Sequence, residues 1–280
     1  MSQLRSPSVA GLFYPDDATQ LAHQIRGYLD AAAPDISPTQ QPTSQSAQQS
    51  RSFAARCPKA LIVPHAGYIY SGAVAAHAYS RIAGHARQIT RVILLGPAHR
   101  FAFKGLAYCS AQRYLTPLGE IPVDRTALDI IAKLDQVQEL DTAFNGEHCL
   151  EVQLPFLQMV LSNFSILPLL VGNLCETDIA EALDQVWGGR ETLIVISSDL
   201  SHYLDYQSAQ RIDRQTSEAI CQLCPEAINS HQACGRQAIA GLLLEARRHE
   251  LRAELLDLRN SGDTAGMHER VVGYGAYAFA

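Results

Sequence analysis

Four uninterrupted apolar runs punctuate the chain: Ala60-Leu61-Ile62-Val63, Val92-Ile93-Leu94-Leu95, Ile166-Leu167-Pro168-Leu169-Leu170-Val171 and Leu193-Ile194-Val195-Ile196. None alternates apolar with polar positions as a half-exposed strand would, so each reads as a strand buried on both faces. Between them the apolar positions recur at helical spacing over residues 72–82, 126–134, 147–161, 178–187, 206–223 and 235–248. An earlier helix carries Leu21, Ile25 and Leu29 behind the capping pair Asp16-Asp17 and runs to about Ala32. Strands alternating with helices predict an α/β fold: a single three-layer domain over residues 1–280, with a mostly parallel buried sheet flanked by helices. Residues 271–279 alternate small and aromatic side chains and predict a closing strand, antiparallel to the rest. From about 34 to 56 the composition turns to Pro, Ser, Thr and Gln, with too little apolar surface to offset the entropy of ordering it, which predicts a flexible inserted loop.

With 280 residues and 47% hydrophobic content the chain can bury a large core. Its formal charge of −6 comes without a dense Lys/Arg cluster, which argues against nucleic acid as a partner. No apolar run approaches the roughly 18 residues of a membrane span. The segment Met1 to Pro7 lacks the apolar core of a secretion signal, so the expected location is the cytoplasm. Seven scattered cysteines predict free thiols rather than a disulfide framework. Cys221 and Cys224 form a C-x-x-C, but at the closing turn of a helix and without a second such pair, so they read as ordinary thiols.

Four segments end an apolar run with a residue that binds metals or moves protons: Val63-Pro64-His65, Gly96-Pro97-Ala98-His99, Ser198-Asp199-Leu200-Ser201-His202 and Ala233-Cys234-Gly235. Side chains that follow separate strands of an open α/β sheet converge beyond the carboxyl ends. His65 and His99 stand in matched contexts and could chelate through neutral imidazoles. Asp199 could orient His202 three residues on if the turn is helical, or could simply cap a helix. Cys234, just ahead of a strongly apolar helix, could be a thiolate ligand or a small buried core residue. Glu147, His148 and Glu151 share a face of the expected 147–161 helix, as an outer layer of a site or as a polar stripe.

These strings resemble the Memo family over nearly the entire chain. The resemblance is carried by Ala10-Gly11-Leu12-Phe13-Tyr14-Pro15, Pro64-His65-Ala66-Gly67-Tyr68 with Ser71-Gly72, Leu95-Gly96-Pro97-Ala98-His99, residues 116–124, residues 147–156, Ser197-Ser198-Asp199-Leu200-Ser201-His202-Tyr203, Ala233-Cys234-Gly235 and Val272-Gly273-Tyr274. It implies a fold similar to class III extradiol dioxygenases. It also implies metal ligation by His65, His99 and Cys234, with iron or copper the ion, and Asp199 and His202 as catalytic neighbours. Tyr68, Ser71 and His148 would lie in the same pocket. Family members are often encoded beside a radical-SAM protein, which implies a functional link to one. Cys234 stands where the dioxygenases place a carboxylate, a change that softens the site and favours copper(I) or an iron thiolate over ring cleavage.

The expected function is a metal-dependent redox protein acting on a small molecule, with His202 exchanging protons. The alternative is a non-catalytic module that captures a peptide or an anionic group in the same pocket, aided by Ser71 and the glycines at the start of the helix. Metal-assisted hydrolysis is disfavoured because His202 is the one clear base.

Overall fold

A computed structural model describes residues 4–33 and 56–280. The low-complexity stretch, apart from Arg56, lies outside the described residues. In chain order the elements are β1 (Leu4–Arg5), α1 (Ala18–Ala32), β2 (Ala60–Val63), α2 (Tyr68–Ala83), β3 (Arg91–Pro97), β4 (Leu106–Tyr108), β5 (Arg113–Thr116), β6 (Gly119–Pro122), α3 (Arg125–Ile131) and β7 (Val137–Glu139). They continue with α4 (Leu154–Val160), β8 (Ser165–Val171), α5 (Glu176–Gln185), β9 (Thr192–Ser197), β10 (His202–Leu204), α6 (Tyr206–Cys221), α7 (Arg236–Arg248), β11 (Ala253–Asn260) and β12 (Val271–Phe279).

The four apolar runs form the centre of the large sheet, in the order β2-β9-β3-β8, all parallel. Ile62 lies opposite Ile196, and Ile93 opposite both Ile194 and Leu167, so β-branched and leucine side chains face helices on either side. The margins are mixed. β12 is antiparallel to β2 and also carries β11 and β10, while β8 is followed by antiparallel β4 and then β7. A separate small sheet has the order β1-β5-β6. Helices flank the large sheet in groups: α1, α2 and α4 pack on one another, and α5 packs on α7, which rests on β3 and β9. The first helix starts as its sequence predicts, with Asp17 accepting a hydrogen bond from the Gln20 N–H at 2.8 Å.

The expected helix over 147–161 begins instead at Leu154, after a 3-10 turn at Glu151–Gln153. Pro155 belongs in a first turn because it has no N–H to donate. The N–H groups of His148 and Cys149 both go to the Glu147 carboxylate, which holds residues 145–150 as a loop. Glu151 does not share a face with Glu147. It accepts the N–H of Ser8 at 2.7 Å and of Val9 at 2.9 Å, together with the Tyr14 hydroxyl at 2.7 Å, and so ties the N-terminal segment down.

The 145–150 loop rests directly on β3 because Gly96 has no side chain. A Cβ there would stand 2.7 Å from Cys149 Sγ and 2.9 Å from a Leu150 methyl. Gly96→Ala is therefore expected to cost about 1–3 kcal/mol by overpacking, read as a lower denaturant midpoint at unchanged slope. A midpoint equal to the parent's would show that the loop does not bear on the strand.

Candidate metal centre

Because β2, β3 and β9 are parallel, their carboxyl ends open on one edge of the sheet, and the residues that follow them meet there. His65 comes after β2 and Pro64, His99 after β3 and Ala98, and Asp199 after β9 and Ser198. The loop on β3 adds His148. The His65 ring meets those of His99 and His148 edge to face, with centroids 5.1 and 5.5 Å away, and His99 stacks on His148 at 5.1 Å. One ring nitrogen from each of the three lies within 4.8 Å of the others. Access is graded: the His65 side chain is 2% exposed, that of His148 18% and that of His99 30%.

Two of the imidazoles are braced from behind. Ser197 Oγ donates its one proton to the Cys149 carbonyl at 2.6 Å and takes the Gln153 amide N–H at 2.8 Å, so toward His65 Nδ1, 2.9 Å away, it can only accept. His65 Nδ1 therefore carries the hydrogen, and the lone pair sits on Nε2. The Glu147 carboxylate accepts the His99 N–H at 2.7 Å and its Nδ1 at 3.0 Å, and lies 3.3 Å from His148 Nδ1. With Nδ1 of His65 and of His99 engaged in this way, Nε2 of each ring is left for a ligand, the arrangement that outer hydrogen bonds impose on metal-binding histidines.

Burial, then repulsion from His99, pulls His65 down to about 3, and burial, then repulsion from His65, pulls His148 down to about 4. Both are neutral donors at ordinary pH. Burial alone would raise Glu147, but the hydrogen bond from the His99 ring, its charge and the N–H groups of His99 and Cys149 hold it well below the usual carboxylate range.

Cys234, in the loop ahead of α7, approaches the centre through His65 and not as the expected partner of both His65 and His99: no donor group among the described residues includes it, and it lines a neighbouring cleft with His99 and His202. Its sulfur lies 3.3 Å from His65 Nε2 and accepts the Asp199 N–H at 3.3 Å. Proximity to the helix start does not make it a thiolate. Burial and the Asp199 charge push it up to about 12, so with no cation beside it the group is a thiol. Burial also raises Asp199, against the His65 N–H and the surrounding imidazoles.

Asp199 does not bond to His202, because no helical turn follows β9. Residues 202–204 form β10, paired with β12. The Asp199 carboxylate instead accepts the His65 N–H at 2.7 Å, with its other oxygen 4.0 Å from His65 Nε2. Both residues still line one cleft of about 690 Å³ with the three clustered histidines, Phe13, Tyr70 and Met267. Two other residues expected in the pocket serve the loop around it. Tyr68 is buried with its hydroxyl donating to the Val152 carbonyl at 2.7 Å, and Ser71 donates to the Ala66 carbonyl at 2.9 Å, while Tyr70 is the side chain of this turn that faces the cleft.

Two further donor groups occur among the described residues. One shares His99 and Glu147 with the centre and adds Cys149, whose thiol, raised by burial, bonds to the Pro97 carbonyl at 3.1 Å. The other, Asp184, Glu245 and His249, sits at the opposite end of α7, where Arg248 pairs with both carboxylates. All seven cysteines are free thiols, Cys221 and Cys224 among them.

The segment carrying Asp199 and His202 is pinned from below. Leu200 N–H donates to Gly273 O and Gly273 N–H to Ser201 O, each at 2.8 Å, while buried Asp213 accepts the Ser201 N–H at 2.9 Å. Only glycine fits at 273, since a Cβ would come within 2.0 Å of Asp213 Oδ2.

Residues 5–278 match the family described as Memo-like protein. A MEMO1 family protein of Sulfolobus acidocaldarius is 34% identical over 287 residues, covering 97% of each chain. One of Thermotoga petrophila is 34% identical over 283 residues, covering 96% of this chain and 97% of the relative. One of Nitrosopumilus maritimus is 33% identical over 288 residues, covering 99% of both.

Burial raises Asp213 from 3.8 to about 6. A carboxyl raised by folding contributes stability below its unfolded value and loses it as pH rises through the folded one, so the loss falls between about pH 4 and pH 6. Asp213→Asn removes that term. Relative to the variant, the parent should lose about 3 kcal/mol across this window, measured by denaturant unfolding at a series of pH values; histidine titrations are common to both and cancel. A parent-to-variant difference that does not change with pH would exclude a buried ionising carboxyl here.

Proposed function

The chain belongs to the Memo-like protein family, and from that premise we propose that it is a metal-dependent redox protein acting on a small molecule in the cleft. The observation that carries this reading is the cluster of His65, His99 and His148, three imidazoles with a ring nitrogen each within 4.8 Å of one another, the first two braced at Nδ1 and His65 and His148 kept neutral by burial. His65 and His99 would hold the ion. Cys234 and His148, on different sides of His65, are the further donors, and a sulfur beside imidazoles suits iron or copper. Such an ion, when bound, supplies one-electron and oxygen chemistry.

The chain's own residues do the rest. Asp199 fixes the His65 backbone, and its carboxyl, raised by burial, would ionise beside a bound cation. Phe13, Tyr70 and Tyr274 keep water from one side of the cleft. His202, half-buried in the cleft wall, is placed to take or return a proton at its ring. The residues fit a metal better than they fit bare anion capture, since burial has already removed the positive charge from His65 and His148.

Protein purified without oxygen should contain about one equivalent of iron or copper, and His65→Ala should lose it. A thiolate-to-metal absorption band that vanishes in Cys234→Ser and survives in His148→Ala would make the sulfur a ligand; the reverse pattern would replace it with the third imidazole. Oxygen uptake should disappear in His202→Ala with metal content retained. Metal-free protein that stays metal-free on titration with iron(II) and copper(I) would leave the cleft as a binding site for a peptide or anion and end the redox reading.

A further inference from the structure

A second cleft of about 830 Å³ lies on the far side of His99, His202 and Tyr203, which line both. The two differ in chemistry. The first is walled mainly by Phe13, Tyr70, Met267, Val272 and Tyr274, and the one guanidinium on it, that of Arg270, is accompanied by Glu269 and lies over the Tyr203 ring. The second presents Arg211, Gln215, Asn229, His231 and Gln232, and no carboxylate lines it. Arg211 makes no ion pair or hydrogen bond among the described residues, so its guanidinium is open to a ligand. Tyr203 forms the ridge between them. It is 63% exposed, with φ of 59°, a conformation costly for a bulky residue, and Arg270 lies over its ring at 5.1 Å.

We infer that the substrate is amphipathic: an apolar or aromatic group seated in the first cleft, a carboxylate in the second beside Arg211, and the reacting carbon between them, at the histidines. Each cleft is within the size range that holds a whole small ligand, so each has ample room for one end of such a molecule. A guanidinium without a protein partner, in a wall free of acidic residues, selects an anion through charge-assisted hydrogen bonds. The aromatic wall opposite gives non-directional affinity for the other end. This inference rests on the reading of the histidine cluster as a reaction centre, but its test does not use the metal.

The probes are ω-phenylalkanoates with chains of two to six carbons and the matched phenylalkanols, titrated calorimetrically into chelator-treated protein. At one chain length the acid should bind about tenfold tighter than its alcohol. Arg211→Gln should abolish that gap while leaving the alcohol unchanged, and Tyr70→Ala should weaken acid and alcohol together. Arg214→Gln, one turn further along α6 on the same helix surface, should preserve the gap. Equal affinities for acid and alcohol at every length, no binding in the series, or a gap that survives Arg211→Gln would overturn the assignment, whatever the metal analysis shows. Conversely, a protein that takes no metal yet shows the Arg211-dependent gap would lose its redox reading and keep its ligand class.

Discussion

One buried carboxylate holds the centre together. Glu147 accepts the backbone N–H groups of His99, His148 and Cys149 and the Nδ1 of the His99 ring, and lies beside the Nδ1 of His148. It therefore fixes both a strand end and a loop that are about fifty positions apart in sequence, and sets the tautomer of His99. An acceptor with this many donors cannot be replaced by a neutral side chain without leaving N–H groups unpaired in the interior. The loop it folds can lie on β3 only because Gly96 leaves room for Cys149 and Leu150. The two constraints are coupled: the glycine admits the loop, and the carboxylate gives it one conformation.

The electrostatics around that hub share one direction. Burial lowers the affinity of His65 and His148 for protons, raises it for Asp199, and raises it for Cys234. Each group is driven toward its neutral form because this part of the interior disfavours charge of either sign. A positive ion would be welcomed by neutral imidazole lone pairs and would favour the ionised forms of the acid and the thiol. No anion would gain as much, since the two least exposed imidazoles carry no charge to offer it. The same donor set thus supports a metal reading and weakens the capture of an anion at the histidines themselves, which is why the anion-selecting residues are sought one cleft further on, at Arg211.

Much of this was written in the chain. Strands buried on both faces leave continuous apolar runs, so β2, β3, β8 and β9 and the residues just beyond three of them could be read directly. The margins were not legible. β4, β7 and β10 are three residues each, too short to show a period, and the register shift between Leu255 and Asp257 breaks the alternation that would have marked β11. His148 was misplaced for a different reason. Apolar spacing over 147–161 imitates a helix through the loop, 3-10 turn and helix that follow one another there, and Pro155 was the signal that the helix starts late. The partnership of Asp199 with the His65 backbone could not be seen at all, since it joins positions 134 apart.

Why the site takes two clefts rather than one follows from how β9 ends. A helical turn after Ser197 would have pointed His202 back toward Asp199 and closed the edge. Instead, the chain runs extended into β10, held by Gly273 on β12 and by Asp213 on α6. That path carries His202 outward and forces Tyr203 into a left-handed conformation in which its ring projects from the surface. Such strain persists only where neighbouring contacts over-determine it, and here the ladder to Val272 and the carboxylate beneath Ser201 do so. Strain placed on a ridge between an aromatic wall and a cationic one, with the clustered histidines at its foot, is a feature that packing alone does not require. It divides the space above the histidines into two environments, and a molecule that spans both must pass its middle over His99 and His202.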